Sequence, residues 1–341
     1  METKSRLFIS KQIRTDSIGW MSHSPFTQNN DTMKKVLASI IFSFFAIGML
    51  QAQQDAQYTN YMYNTMNINP AYAGSRGTLS IFGLHRTQWV GLEGAPTTNT
   101  FALHAPFRDS NVGMGLTVMN DVIGPSEEST ISADFSYTIN TSDTYKLAFG
   151  LRATAHLLNV DFTKLNIYNP GDVMAQYNID NRFSPNFGVG AYWYSENSYF
   201  GLSIPNMLET KHFDKNQAQY SATSVPYERM HLHFIAGKVF DIHPSVQFKP
   251  AFLAKMVEGA PLQLDFSANF LFHEKITLGA AYRWDAAMSM LAGFQVSNNW
   301  FIGYGYDSEV TKLANYNSGS HELFLRYEFS RMKQVVSPRF F

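Results

Sequence analysis

The stretch KLAFGLRATAHL, Lys146 to Leu157, decides the fold. In an extended chain Leu147, Phe149, Leu151, Ala153, Ala155 and Leu157 share one face, while Lys146, Gly150, Arg152, Thr154 and His156 share the other. Alternation with a period of two is the signature of a strand with two different environments. LQLDFSANF repeats the pattern, with Leu262, Leu264, Phe266, Ala268 and Phe270 opposite Gln263, Asp265, Ser267 and Asn269.

A soluble β-sandwich also alternates, so the connections must separate the two architectures. About fourteen strands of about ten residues fit between Thr78 and Phe329, a length suited to tilted membrane-spanning strands and longer than the usual five or six. Short links are expected near 107–111, 140–145, 195–198, 241–244, 272–275 and 297–299, and long ones at 161–185, 206–228 and 307–318. Short turns on one side, long loops on the other and an even strand count describe a transmembrane antiparallel β-barrel. Trp89, Tyr192, Tyr194, Trp284, Trp300, Tyr306 and Tyr327 fall near the expected strand ends, where amphipathic rings meet the boundary between lipid and water.

Composition agrees with this architecture. Of 341 residues 16% are charged and 15% aromatic, and ordinary soluble domains carry roughly 25% charged residues. The mean hydropathy of -0.19 argues against a polytopic helical membrane protein. A formal net charge of -1 gives no reason to expect a nucleic-acid partner. There is no cysteine, which rules out disulfides, thiolate metal sites, cysteine nucleophiles and acylation as a lipoprotein.

Five segments follow. From Met33 the chain reads MKKVLASIIFSFFAIGMLQAQQ, with two lysines, an apolar run from Val36 to Leu50 and small Ala52. This is a secretory signal over residues 33–52, its apolar run short for a membrane span. Residues 1–32 are a polar leader that implies a mis-set start codon. Residues 53–77 form a periplasmic segment, 78–329 the outer-membrane barrel, and 330–341 a periplasmic tail carrying Arg331, Lys333 and terminal aromatics.

The opening QDAQYTNYMYNTMNINPAYAG, HRTQWVGLEGAPTT with Arg86, Gln88, Trp89 and Pro96, then GYGYD, GSHELFLRYEF and the final SPRFF occur in one order. In these motifs the chain resembles the PorP/SprF family of type IX secretion system outer-membrane proteins over nearly all of its mature length. The resemblance implies a non-enzymatic outer-membrane barrel of the type IX protein secretion and gliding motility machinery, in contact with periplasmic or peptidoglycan-associated components and with a secreted surface protein or adhesin. Two departures are visible: Phe340 stands where the family pattern has Tyr, and the leader before Met33 has no counterpart.

The usual signatures of nucleotide binding, acyl transfer and zinc hydrolysis are missing, and the reading needs no cofactor. His231 and His233 share a strand face with no third ligand in view, so a metal and plain lumen-facing histidines both fit. Lys146, Arg152, Lys249, Lys255, Asp265, Arg283, Glu322, Arg326 and Glu328 fall on inward faces. Mixed signs suit a filled lumen better than the single-sign ring of an ion-selective pore, although solvated wall residues would look the same. A channel or transporter for small solutes is the competing function. The long loops carry Tyr168, Tyr177, Phe183, Phe213, Tyr220 and Tyr227, either as partner anchors or as packing that closes the barrel mouth.

Two segments are expected to engage partners. Leu323, Leu325, Tyr327 and Phe329 form the lipid face of the last strand, and the tail beyond it, with Pro338, Arg339, Phe340 and Phe341, is expected to dock in the periplasm. Asn69, Pro70, Ala71, Tyr72 and Gly74 should make a rigid turn at or inside the periplasmic mouth, partly plugging the lumen, or else guide barrel assembly. Proline restricts the unfolded chain, so less entropy is lost on docking.

Overall fold

A computed structural model describes residues 58–107, 110–165, 178–208, 210–211 and 227–329. The signal, the leader and the tail, with Pro338, Arg339, Phe340 and Phe341, lie outside the described residues, as do Tyr168, Tyr177, Phe213 and Tyr220.

The wall is β1 (Ser80–Thr87), β2 (Thr97–Pro106), β3 (Val112–Ile123), β4 (Ser126–Asn140), β5 (Lys146–Val160), β6 (Ile179–Tyr194) and β7 (Ser198–Ile204). It continues with β8 (His231–Lys238, extended past Val239 by Phe240–His243), β9 (Val246–Val257), β10 (Gln263–Phe272), β11 (Ile276–Arg283), β12 (Ala287–Gln295), β13 (Trp300–Glu309) and β14 (Ser320–Glu328). Each strand pairs antiparallel with its sequence neighbours, and β1 pairs with β14 from Ser80↔Glu328 to Thr87↔His321, closing a fourteen-stranded barrel. Closure leaves no open edge, the condition for a sheet to stand in hydrocarbon.

The two faces are inverted relative to a soluble protein. On β5 the outward Phe149 and Leu151 are 51% and 59% exposed, while inward Arg152, Thr154 and His156 are buried. On β10, Phe266 and Phe270 point out and Asp265, Ser267 and Asn269 are buried. Among the described residues no helix is long and apolar enough to cross a membrane; this chain crosses with strands.

One end of the barrel, called here the inner end, carries the start of β1, the end of β14 and the short turns at 107–111, 141–145, 195–197, 244–245, 273–275 and 296–299. The opposite, outer end carries longer links, including 88–96, 205–230 and 310–319, but also three short ones, at 258–262, at 284–286 and between β3 and β4, which only Gly124 and Pro125 join. The loop expected over 161–185 is shorter, because β6 begins at Ile179. Polar Asn181, Arg182 and Ser184 hid that extension, and Phe183 and Pro185 lie on the strand's outward face.

Tyr192 and Tyr194 correct the aromatic assignment. Their parity is that of Gly188 and Gly190, so both turn into the lumen and are buried, while Trp193 between them faces out. Trp300 and Tyr327 do face outward, their rings tilted against each other at 4.6 Å.

If the outward face meets lipid, Leu151→Lys should destabilise the barrel in phospholipid vesicles by about 2–4 kcal/mol. Equilibrium denaturant unfolding reads this, and a neutral result would place the face in water.

Candidate functional site in the barrel lumen

Residues 58–77 do not continue the sheet. Asn64 precedes one helical turn, α1 (Thr65–Ile68), and the 3-10 turn Pro70–Tyr72 follows directly. The Asn69 side chain caps that turn by accepting from the Ala71 backbone N–H at 3.0 Å, with Pro70 at the first turn position, where its missing N–H costs nothing. Gly74 follows at φ +75°, a conformation that favours glycine. Local chemistry therefore makes the NINPAYAG stretch a compact knot.

The knot stands inside the barrel. Tyr61, Met62, Met66, Asn69, Ala71 and Tyr72 are all at most 3% exposed. The wall makes room with glycine: a Cβ at Gly150 would collide with the Pro70–Ala71 backbone, and one at Gly190 with the Asn69 side chain.

Such a short irregular segment cannot satisfy its own backbone, and the wall supplies the partners. Arg152 is held bidentately by Asp134 (2.7 and 2.9 Å) and donates to the carbonyls of Met66 (2.6 Å) and Asn67 (2.8 Å). Ser203 donates to the Ile68 carbonyl at 2.6 Å and Ser136 to the Ala73 carbonyl at 2.7 Å. The Asn69 amide donates to the Ala191 carbonyl at 3.0 Å, and the Gly74 N–H donates to His104 Nδ1 at 3.1 Å. Arg76 pairs with Glu328 at the inner end.

At the outer end the charges converge. Arg86 reaches Asp307 at 2.8 Å and Glu322 at 3.1 Å, all three at most 2% exposed. Thr59 donates its hydroxyl to Asp307 at 2.6 Å and accepts from Arg86 at 3.0 Å. The backbone N–H groups of Thr59 and Asn60 donate to Glu322 at 3.1 and 3.0 Å, and the Asn60 amide donates at 2.6 Å. Tyr58 reaches Thr100 and Met119 near the outer ends of β2 and β3. An apolar cluster lies between these polar ends, with Tyr63 against Phe324 at 4.8 Å and Phe301 at 5.4 Å, and Tyr72 edge-on to Tyr192 at 5.5 Å.

The expected site residues therefore separate. Asn69, Pro70, Ala71, Tyr72 and Gly74 lie in the lumen towards its inner end. Tyr58 to Asn60 lie at the outer end, so the segment runs the height of the wall instead of sitting only at one mouth. Arg86 points inward, in contact with the segment, whereas Gln88, Trp89 and Pro96 belong to the outer link between β1 and β2. There the Gln88 N–H donates to the Pro96 carbonyl at 2.9 Å, and the Trp89 indole donates to Glu309 at 2.9 Å. Asp307 and Asp134 were not singled out as site residues. Inward parity marks Asp134, and glycines at inward strand positions are the signal that could have located the buried segment. His231 and His233 are inward with ring centroids 6.2 Å apart, and no group of three potential metal ligands occurs among the described residues.

A family model described as type IX secretion system membrane protein PorP/SprF matches residues 50–327. No match was found among curated proteins. Among solved structures, the chain is similar to the outer membrane protein Omp33 of Acinetobacter baumannii at 8% identity and TM-score 0.46, covering 75% of this chain and 100% of that one. It is similar to the toluene transporter TbuX of Ralstonia pickettii at 11% and 0.44, covering 77% and 92%. A FadL homologue of Pseudomonas aeruginosa gives 12% and 0.39, covering 74% and 89%.

Replacing Arg86 with Met leaves two buried carboxylates without their cation, so R86M should cost about 3–5 kcal/mol. R86M/D307N/E322Q should recover most of that loss. Denaturant unfolding of the two variants checks both; equal instability would mean that the charges do not act as a unit.

Proposed function

This chain belongs to the PorP/SprF family of type IX secretion system membrane proteins, and from that premise we propose that it supports export or surface attachment of partner proteins, working as a plugged, non-enzymatic scaffold. It is an outer-membrane β-barrel component of that system. The observation that carries the scaffold reading is the buried course of residues 58–77 through the lumen. A segment with most of its residues buried, and tied to β1, β2, β4, β5, β7, β13 and β14, occupies the space that a solute channel would need. The Asn69 to Gly74 knot is then the plug motif, and it presents a fixed surface at the inner end.

The reading puts the inner end in the periplasm, where the tail with Pro338, Arg339, Phe340 and Phe341 would meet peptidoglycan-associated components of the machinery. The outer end, with Gln88, Trp89 and Pro96 in its link, would meet the secreted surface protein or adhesin. Export would use the signal over residues 33–52, with cleavage near Ala52.

Two measurements test this. In planar bilayers the wild-type barrel should stay almost silent, and D307A/E322A, which removes the acceptors at the outer end of the plug, should conduct; an open wild type would favour the solute channel. The lack of cysteine makes single-cysteine labelling clean. Lys312→Cys should label on intact cells and Glu274→Cys only after permeabilisation, and the reverse pattern would invert the orientation. In-cell crosslinking read by mass spectrometry should capture type IX components together with an exported surface protein; recovery of neither would remove the secretion role.

A further inference from the structure

The outward face of the barrel is apolar almost everywhere, and one place breaks the rule. On β5 outward positions stay apolar from Leu147 to Leu157, ten residues that climb about 25 Å at a tilt near 40°, the height of a hydrocarbon band. On β1 the outward positions are Ile81, Gly83, His85 and Thr87. Ile81 is the register partner of Tyr327, whose ring lies 4.6 Å from that of Trp300 at the inner aromatic level. His85 lies four residues further along, about 10 Å higher at the same tilt and two residues before the end of β1, and Asn99 is the third residue of β2, so the pair stands at the outer edge of the band on this side. Its register partner on β2 is Asn99, which in turn faces Asn120 on β3.

These groups are partly satisfied. His85 Nδ1 meets Asn99 Oδ1 at 2.8 Å. The Asn99 oxygen can only accept, so that ring nitrogen carries the proton. Thr87 closes on His85 Nε2 at 3.2 Å, and Asn120 donates to Glu127 at 2.9 Å. The Asn99 amide hydrogens have no protein acceptor among the described residues. At the outer edge of the apolar band, where lipid carbonyls lie, this unmet donor is open to an acceptor from the membrane.

Directly beside these groups is a groove of about 510 Å³. Its inner part is apolar, with Phe101, Val118, Leu323 and Leu325 around Gly83, and its outward rim is His85, Asn99 and Asn120. A side chain at Gly83 would meet open space, so the trough exists because that residue is glycine. Apolar towards the membrane centre and uncharged polar towards the outer end is the polarity of an outer-leaflet lipid.

We propose that this groove is a lipid-binding site that seats one acyl chain over Gly83 and receives the ester or amide carbonyl at its head on Asn99. No cation lines the groove, so recognition falls on the carbonyl linkage and not on a phosphate. The site depends on the barrel and its membrane face, and not on the secretion role.

The test uses the full-length barrel extracted in mild detergent and native mass spectrometry of the lipid it retains. Wild type should carry one lipid. N99L removes the donor and should weaken retention about tenfold, the equivalent of one well-placed hydrogen bond. G83F, which fills the trough, should abolish retention. Leu202→Phe on the outward face of β7, across the barrel from β1, is the control and should change nothing. Heat-modifiable migration confirms that each variant is folded. Should a variant fail to fold, a photoreactive residue at Phe101 in the otherwise wild-type barrel decides: capture of a lipid supports the site. Capture of a protein, a second copy included, overturns it, as does undiminished lipid in folded N99L and G83F.

Discussion

An unpaired backbone N–H or C=O in hydrocarbon costs several kcal/mol, and this requirement organises the molecule from the outside in. It forces the sheet to close, through the pairing of β1 with β14. Closing fourteen strands leaves a lumen wider than wall side chains alone can fill, whereas eight would leave a space that they can. The same requirement then applies inside. Residues 58–77 have one helical turn and one 3-10 turn, too little regular structure to pair their own groups, and the inward wall residues supply the rest. Arg152, Ser203 and Ser136 serve carbonyls, whereas Glu322 and His104 serve N–H groups. The polar lining of this barrel is thus matched to a particular backbone course and is more than a wet surface.

Energetically the lining and the segment do different work. Buried ion pairs roughly offset their own desolvation, so Arg86 with Asp307 and Glu322, or Arg152 with Asp134, add little net stability; what they impose is position, because a shifted segment would strand a buried charge. Stability comes from the apolar contacts between those ends. Tyr63 packs against Phe301 and Phe324, Phe82 stacks on Phe324 at 5.4 Å, and Tyr72 meets Tyr192. The lumen therefore holds a small core of the kind a soluble domain has, wrapped by a wall whose other face is adapted to lipid.

How much of this could be read from sequence follows from the range of each interaction. Parity is local, so the inward placement of Arg152, Asp265 and Glu322 and the outward placement of Leu151 and Phe266 were legible. The same parity, applied at 192 and 194, turns those tyrosines inward, because nearness to a strand end does not decide which face a side chain takes. Gly124–Pro125 broke the rule of long outer loops because a two-residue turn suffices between adjacent antiparallel strands. The knot was legible as rigid, since Asn69, Pro70 and Gly74 each restrict or free the backbone in known ways. Its partners were not. Arg86 and Asp307 stand 221 residues apart, and only the closed barrel brings them together. The depth of the segment was illegible for the same reason, because Thr59 and Asn60 find their level through acceptors on β13 and β14.

The location of those acceptors bears on how the molecule assembles. Arg86 is on the first strand and Glu322 on the last, and they are directly opposite each other in the closing register. Asp307 is on β13, which joins the seam through β14. Arg76, just before the first strand, pairs with Glu328 at the end of the last. Both charged clasps on residues 58–77 are therefore incomplete until the barrel closes, and both form in the closing step. Before closure Glu322 lacks its arginine and the segment lacks its anchors at either end. After closure the segment is enclosed by wall on all sides, with Gly150 and Gly190 too close to its backbone and side chains for it to slide. The segment must consequently be laid in while the first and last strands are still apart, and the seam and the buried segment stabilise each other as one cooperative unit.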